Sequence, residues 1–274
     1  MAGEGQQAQA WNGAGGRAWV ESQELLDRLF EPLEKLLLED VSGRVLDVGC
    51  GAGATTLAIA RALGPAGHCT GVDISEPMIA AARSRAEREG SKASFECGNA
   101  QTFEFGAVGF DRIVSRFGVM FFDDFVQAFG NLRRAAAPGA RLRLITWREP
   151  AENPFMRVAV HAAAPVLPEM KPPDPDAPGQ FGLADAARTE RILRESGWEQ
   201  IEIRPMNFAC TFPEAELVGY FTRLGPVGLA LSEADEETRA RVIEAVRPAF
   251  NPYVHGSEVR FDAACWVVSA RAAA

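Results

Sequence analysis

Between Trp19 and Leu38, apolar side chains recur at Leu26, Leu29, Phe30, Leu33, Leu36 and Leu37. This is the three- and four-residue spacing of one helical face, and it predicts an amphipathic helix laid against a later sheet. The pattern then changes to short apolar runs alternating with helical stretches. Strands are predicted over 44–48, 69–73, 93–97, 110–115 and 141–147. Helices are predicted over 54–63, over 78–89 (capped by Ser75, with Pro77 in the first turn), and over about 123–136, ending near Pro138-Gly139. Repeated strand–helix–strand order implies a parallel sheet covered on both faces.

The alternation breaks after Trp147. Pro165, Pro168, Pro172, Pro173, Pro175 and Pro178 crowd one stretch and predict loop. A helix is expected over 184–196, ending at Gly197, then a sixth strand over 198–208 and a seventh over 259–270. Between these strands, 214–247 reads as two helices separated by Gly225-Pro226. No crossover helix directly precedes the seventh strand, so it is expected to run antiparallel. The fold class is therefore α/β: a doubly wound, Rossmann-like sheet of seven strands, mostly parallel with the last antiparallel, plus a helical cap. The chain divides into an N-terminal arm and helix (1–40), a cofactor-binding core (41–148), a cap segment (149–180), a core continuation (181–212), a helical cap (213–257) and the last core strand (258–274). Residues 1–17, rich in Ala, Gly and Gln, read as a flexible arm interrupted by Trp11 and Arg17.

Composition narrows the functional classes. The 274 residues are 47% hydrophobic and carry 28 basic against 37 acidic side chains, a net charge of −9, which disfavours a nucleic-acid or anionic-membrane partner. The N-terminus has no signal-peptide pattern, and no apolar run reaches the length of a membrane span. Five scattered cysteines (Cys50, Cys69, Cys97, Cys210 and Cys265) with no CxxC suggest reduced thiols in a cytoplasmic protein. No compact ligand spacing supports a metal.

The most informative segment is Val45-Leu46-Asp47-Val48-Gly49-Cys50-Gly51-Ala52-Gly53. A buried strand runs into a Gly-x-Gly-x-Gly turn and then a helix, the arrangement that lets backbone approach a ligand closely. Gly49, Gly51 and Ala54 also satisfy the dinucleotide pattern. Asp73, at the tip of the second strand, can accept two hydrogen bonds from a ribose. Both a nicotinamide dinucleotide and S-adenosylmethionine carry a ribose, so these features alone leave the two open. Asp47 separates them: a carboxylate beside the turn repels a pyrophosphate and favours a sulfonium or ammonium, by about 4 kcal/mol at ~4 Å and an effective dielectric near 20 before desolvation.

With these residues in view, the chain resembles the class I S-adenosylmethionine-dependent methyltransferases, of the group related to ubiquinone and menaquinone biosynthesis. The resemblance rests on VLDVGCGAG at 45–53, GVDIS at 71–75, ECGNAQ at 96–101, FDRIVSRFGVMFF at 110–122 and PGARLRLITW at 138–147. The opening WNGAGGRAW at 11–19 resembles members whose arm folds over the cofactor, which would bring Trp11, Arg17 and Trp19 to the site. The resemblance implies that Asp47 orients the methionine amino group, that Gly49 and Gly51 give close approach, and that Asp73 binds the ribose. Ile74 and Met78 would pack on the adenine. Asn99, before Ala100, would accept from the adenine amino group where many members have Asp. Ser115 and Arg116 end the fourth strand, where methyl group and acceptor meet. Asp73→Ala is expected to weaken cofactor binding by about 1.5–3 kcal/mol with the fold intact.

Each reading has a plainer competitor. Trp11, Arg17 and Trp19 equally suit a helix-docking staple, and Met78 suits ordinary core. His161, His255 and Tyr220 are candidate general bases if the acceptor is a hydroxyl, though a lone His in a lid serves structure more often. Trp147, Phe155, Met156, Phe181, Tyr220 and Phe221 suggest a small, largely apolar acceptor. The expected function is in-line methyl transfer from S-adenosylmethionine, leaving S-adenosylhomocysteine. The alternatives are a nicotinamide-dependent Rossmann oxidoreductase and a non-catalytic cofactor-binding or dimerisation protein.

Overall fold

The computed structural model describes residues 3–106, 109–170 and 179–273. Pro172, Pro173, Pro175 and Pro178 of the expected loop lie outside them. Four short helices lead in: α1 (Gly3–Asn12), α2 (Ala14–Glu21), α3 (Gln23–Leu29) and α4 (Glu31–Leu38). The helix expected as one piece over 19–38 is therefore broken at Ser22 and Phe30. Pro32 sits in the first turn of α4, where its missing N–H costs nothing, whereas inside a continuous helix it would remove a bond and clash with the preceding turn. Of the stretch expected as flexible arm, the described residues 3–12 and 14–17 are helical.

The core follows as β1 (Arg44–Val48), α5 (Ala54–Leu63), β2 (His68–Asp73), α6 (Glu76–Glu89), β3 (Ser94–Cys97), β4 (Phe110–Arg116), α7 (Phe125–Ala135) and β5 (Ala136–Trp147). Ser75 caps α6 by accepting from Met78 N, and Asp124 caps α7 by accepting from Gln127 N. Beyond the core come α8 (Phe155–Ala163), α9 (Ala186–Glu195), β6 (Trp198–Pro213), α10 (Leu217–Arg223), α11 (Gly225–Leu231), α12 (Glu236–Ala249), β7 (Val254–His255) and β8 (Glu258–Ala272). Two helices were expected over 214–247 and three form, the break at Gly225 falling as read.

The strands order as β3-β2-β1-β4-β5-β8-β6, with the two-residue β7 as an extra hairpin on β8. Neighbours are parallel from β3 through β5, and β8 runs antiparallel to both β5 and β6. The sheet is thus doubly wound and mostly parallel, with the last strand antiparallel as expected. Strand order reverses between β1 and β4. Right-handed crossovers then put α5 and α6 on one face and α7 and α9 on the other, opening a crevice at the carboxyl ends of the strands.

The crevice is roofed. Helix α8 packs on α11 and α12, and α11 packs on α2 of the arm. Asn153, fully buried, fixes the start of α8 to β8: its Nδ2 donates to Ala264 O at 3.0 Å, and its Oδ1 accepts from Ala264 N at 2.9 Å. Trp198, at the start of β6, donates its indole N–H to Phe129 O at 3.0 Å and anchors α7.

Candidate active site

The turn between β1 and α5 carries three glycines in the left-handed region, Gly49 (φ +68°), Gly51 (φ +54°) and Gly53 (φ +85°), a conformation other residues adopt only with strain. Gly49 N and Cys50 N both donate to Val72 O, at 2.8 and 3.1 Å, tying the turn to β2. At the end of β2, the Asp73 carboxylate accepts from Gly51 N at 2.8 Å and from Ser75 N at 2.9 Å. Burial pushes this carboxyl above its ordinary value, and the backbone N–H groups pull it partly back. Each of its oxygens retains a second acceptor site.

A cavity of about 360 Å³ opens over this turn. Gly49, Gly51, Asp73, Ile74, Met78, Asn99 and Ala100 line it along the ends of β1 to β3. A Cβ added to Gly51 would first meet Met78 Sδ, at 3.6 Å, so bare backbone faces the space here. Trp11 and Trp19 line it from the arm, their rings 5.9 Å apart edge to face, with Trp11 also 5.2 Å from Phe121. The arm is held at α6, where Ser75 Oγ donates to Trp11 O at 2.7 Å and Asn12 Oδ1 accepts from Glu76 N at 2.8 Å.

Past β4 and β5 the lining becomes aromatic, with Phe30, Phe117, Trp147, Phe155, Tyr220 and Phe250. Phe117 has φ +68°, a conformation costing a non-glycine residue about 1–2 kcal/mol. Its N–H bond to Ile145 O (3.0 Å) and the flat stack of its ring on Trp147 (4.1 Å, 6°) hold it there.

Some expected residues fall elsewhere. Asp47 is only 1% exposed and lies behind the wall, its Oδ2 accepting from Thr56 Oγ1 at 2.6 Å. Burial raises its carboxyl to about 6, against the lowering effects of Thr56 and the Arg116 charge. Ser115 is absent from the lining. Its hydroxyl donates to Val48 O at 2.7 Å and accepts from Gly118 N at 3.1 Å, so it stitches β4 to β1. Arg17 points to solvent outside the cavity, as do His161 and His255. Tyr220 does reach the cavity, but burial pushes its phenol up, away from a basic role.

The part of this arrangement built by β1 to β4 and their helices matches known proteins in sequence. Residues 45–139 match the methyltransferase domain family. Within those bounds the chain carries a methyltransferase domain. A demethylmenaquinone methyltransferase of Thermus thermophilus is 33% identical over 120 residues, 44% of this chain and 54% of that protein. One from Bacillus cytotoxicus is 25% identical over 186 residues, 64% and 78% of the two chains. The chain thus spans about half the length of the Thermus relative. In fold, it superposes on a phosphoethanolamine N-methyltransferase of Haemonchus contortus, solved with S-adenosyl-L-methionine, with a TM-score of 0.54 and 17% identity over 90% of this chain and 53% of that one.

The cavity also draws on residues that the sequence reading did not single out. Phe30 enters the chamber from the α3–α4 junction and Phe250 from the end of α12, so no local pattern marks them. Asn12, one residue past Trp11, clasps α6, and its place in an Ala- and Gln-rich stretch concealed that. Among the described residues, no cluster of His, Cys, Asp and Glu could hold a metal, and no helix is long and apolar enough to cross a membrane.

Proposed function

We propose that this chain transfers a methyl group from S-adenosylmethionine to a small, largely apolar organic acceptor by in-line substitution. The observation that carries the reading is one continuous cavity, with the Asp73–glycine turn along one part of its wall and an aromatic chamber along the other. Its volume, about 360 Å³, falls within the ~300–1,000 Å³ typical of small-molecule sites.

The residues present fit the cofactor. Asp73 retains acceptor sites for two ribose hydroxyls, and Gly49 and Gly51 present backbone without side chains. Ile74 and Met78 offer apolar faces to a purine, and Asn99 supplies a side-chain acceptor, although its Oδ1 also accepts from Gln101 N at 3.0 Å. The buried Asp47 charge favours a cationic end from behind the wall. Trp11 and Trp19 add two apolar rings to the cavity wall from the arm. When bound, S-adenosylmethionine would supply a methyl carbon activated by a sulfonium, with a neutral thioether as the leaving group. The chain's part is alignment in a dry chamber, which contributes up to ~7–11 kcal/mol.

The net charge of −9 supports a small molecule rather than a nucleic acid as acceptor. The five unpaired cysteines, four of them buried, support a cytoplasmic setting. Calorimetric titration with S-adenosylmethionine, S-adenosylhomocysteine and NADH tests the reading. Micromolar binding of both sulfur ligands and none of NADH is expected; binding of NADH alone would overturn it in favour of a nicotinamide-dependent oxidoreductase.

A further inference from the structure

We propose that Arg116 is a specificity-determining residue that selects acceptors entering as flat aromatic anions, phenolates or enolates. The inference rests on the methyltransferase reading above and names the acceptor class of that same cavity. Among the described lining residues, Arg116 carries the only formal positive charge, beside the carboxyl groups of Asp73 and Asp123, and none of them is Lys or His. Its Nη1 is buried and has no hydrogen-bond partner. A guanidinium N–H withdrawn from water without a partner is costly, and an oxyanion in the cavity would relieve that cost with a charge-assisted bond.

Nearby acids do not serve instead. Glu34 and Asp47 both feel the Arg116 charge, yet among the described residues neither forms an ion pair with it. The guanidinium lies over the Phe30 ring at 5.5 Å, and Phe30 meets Phe117 and Trp147 edge to face at 5.3 and 6.2 Å. Cation and flat apolar walls thus adjoin at the end of β4. The histidines lie outside the cavity, so a hydroxyl acceptor finds none to take its proton there. A fixed cation offers another route: it favours the deprotonated acceptor, whose proton passes to water.

The test uses the protein loaded with S-adenosylhomocysteine and two probes of one shape, 4-hydroxycoumarin, an enolate at neutral pH, and coumarin, which lacks the acidic group. The wild type should bind the enolate about tenfold or more tighter than coumarin. Arg116→Gln should abolish that preference, and Arg116→Lys should retain part of it, since an ammonium keeps the charge but loses the planar fork. Acidification that protonates the enol should erase the preference in the wild type and change nothing in Arg116→Gln, a response a merely structural role would not give. Equal binding of the probes by the wild type, or a preference surviving in Arg116→Gln, overturns the proposal. So does a loss of S-adenosylhomocysteine affinity in Arg116→Gln with 5′-methylthioadenosine affinity unchanged, which would assign the guanidinium to the cofactor's carboxylate. Failure of the wild type to bind S-adenosylhomocysteine would instead sink the cofactor reading before any probe is added. Thermal melts of both variants separate misfolding from loss of recognition.

Discussion

Gly49 and Gly118 meet backbone to backbone: a Cβ on Gly49 would stand 2.4 Å from the Gly118 Cα, and one on Gly118 would stand 2.5 Å from the Gly49 Cα and 2.4 Å from Val48 O. The contact joins the ends of β1 and β4 at the point where strand order reverses, and Ser115 Oγ, bonded to Val48 O and Gly118 N, clamps it. Both neighbours of an added methyl are backbone, so neither can swing aside. Gly118→Ala should therefore destabilise the protein by about 1–3 kcal/mol through overpacking and weaken S-adenosylhomocysteine binding by displacing the glycine turn. Gly130→Ala is the control. It lies within α7, where a Cβ would come no closer than 3.8 Å to Arg134 Nη1, and it should stabilise by about 0.5–1 kcal/mol. Urea midpoints of the two variants should move in opposite directions.

Asp73 does more than the sequence suggests. Its carboxylate holds the N–H groups of Gly51 and Ser75, so Asp73→Ala removes two backbone partnerships as well as the ribose acceptor. Beside the expected loss of cofactor affinity, the ligand-free protein should lose about 2–4 kcal/mol of stability. Asp73→Asn, with one acceptor oxygen, should fall between. Wild-type urea stability in Asp73→Ala would show that these bonds do not hold the turn.

The parts of the fold legible in the sequence are those where local pattern and tertiary demand coincide. The bounds of β1 and α5 were read directly, because a short apolar run, three glycines and a helical stretch punctuate one another. Ser75 and Pro77 marked the start of α6 for the same reason. What escaped depends on distant contacts. The α1 sequence has no apolar stripe, and its junction with α2 is held by α6 through Trp11 and Asn12. Strand β5 begins at Ala136 rather than near Arg141 because Phe110 of β4 pairs with Ala136 across an irregular register. At the site, glycines and Asp73 announced themselves by spacing. The places of Ser115, Arg17 and the histidines depend on which way a side chain turns, and spacing alone does not carry that.

The arm offers a separate test. Gly16 is buried in α2, and a Cβ there would stand 1.9 Å from Trp11 O and 2.8 Å from Ser75 Oγ. Ser75 Oγ is also the donor that holds Trp11 O. Gly16→Ala should therefore detach the arm while leaving the sheet intact. Affinity for S-adenosylhomocysteine should fall about tenfold, or ~1.4 kcal/mol, and the ligand should no longer protect residues near Trp11 from proteolysis. Gly5→Ala, whose Cβ would meet nothing within 4 Å, should behave as the wild type. Full affinity in Gly16→Ala would remove Trp11 and Trp19 from the binding site.

Asp47 should show opposite effects on stability and binding. Its carboxyl stands at about 6 in the folded protein against 3.8 ordinarily, chiefly through burial. The folded state therefore holds the proton more tightly than the unfolded state. The resulting stabilisation is complete below the ordinary value and is lost as pH rises through about 6. Between about pH 5 and pH 7.5 this group should reduce the stability of the ligand-free wild type by about 1–2 kcal/mol. Burial raises Asp73 and Glu34 as well, so the Asp47 share must be isolated by substitution. Asp47→Asn keeps an oxygen for the Thr56 hydroxyl and has no charge to bury. Its stability relative to wild type should therefore be higher at pH 7.5 than at pH 5 by that same amount, read from urea midpoints. If the carboxylate favours a cationic cofactor end, the variant should also bind S-adenosylhomocysteine more weakly at pH 7.5. A variant more stable yet binding more weakly would mean that the buried charge is kept for the ligand; one more stable and binding equally well would remove Asp47 from recognition.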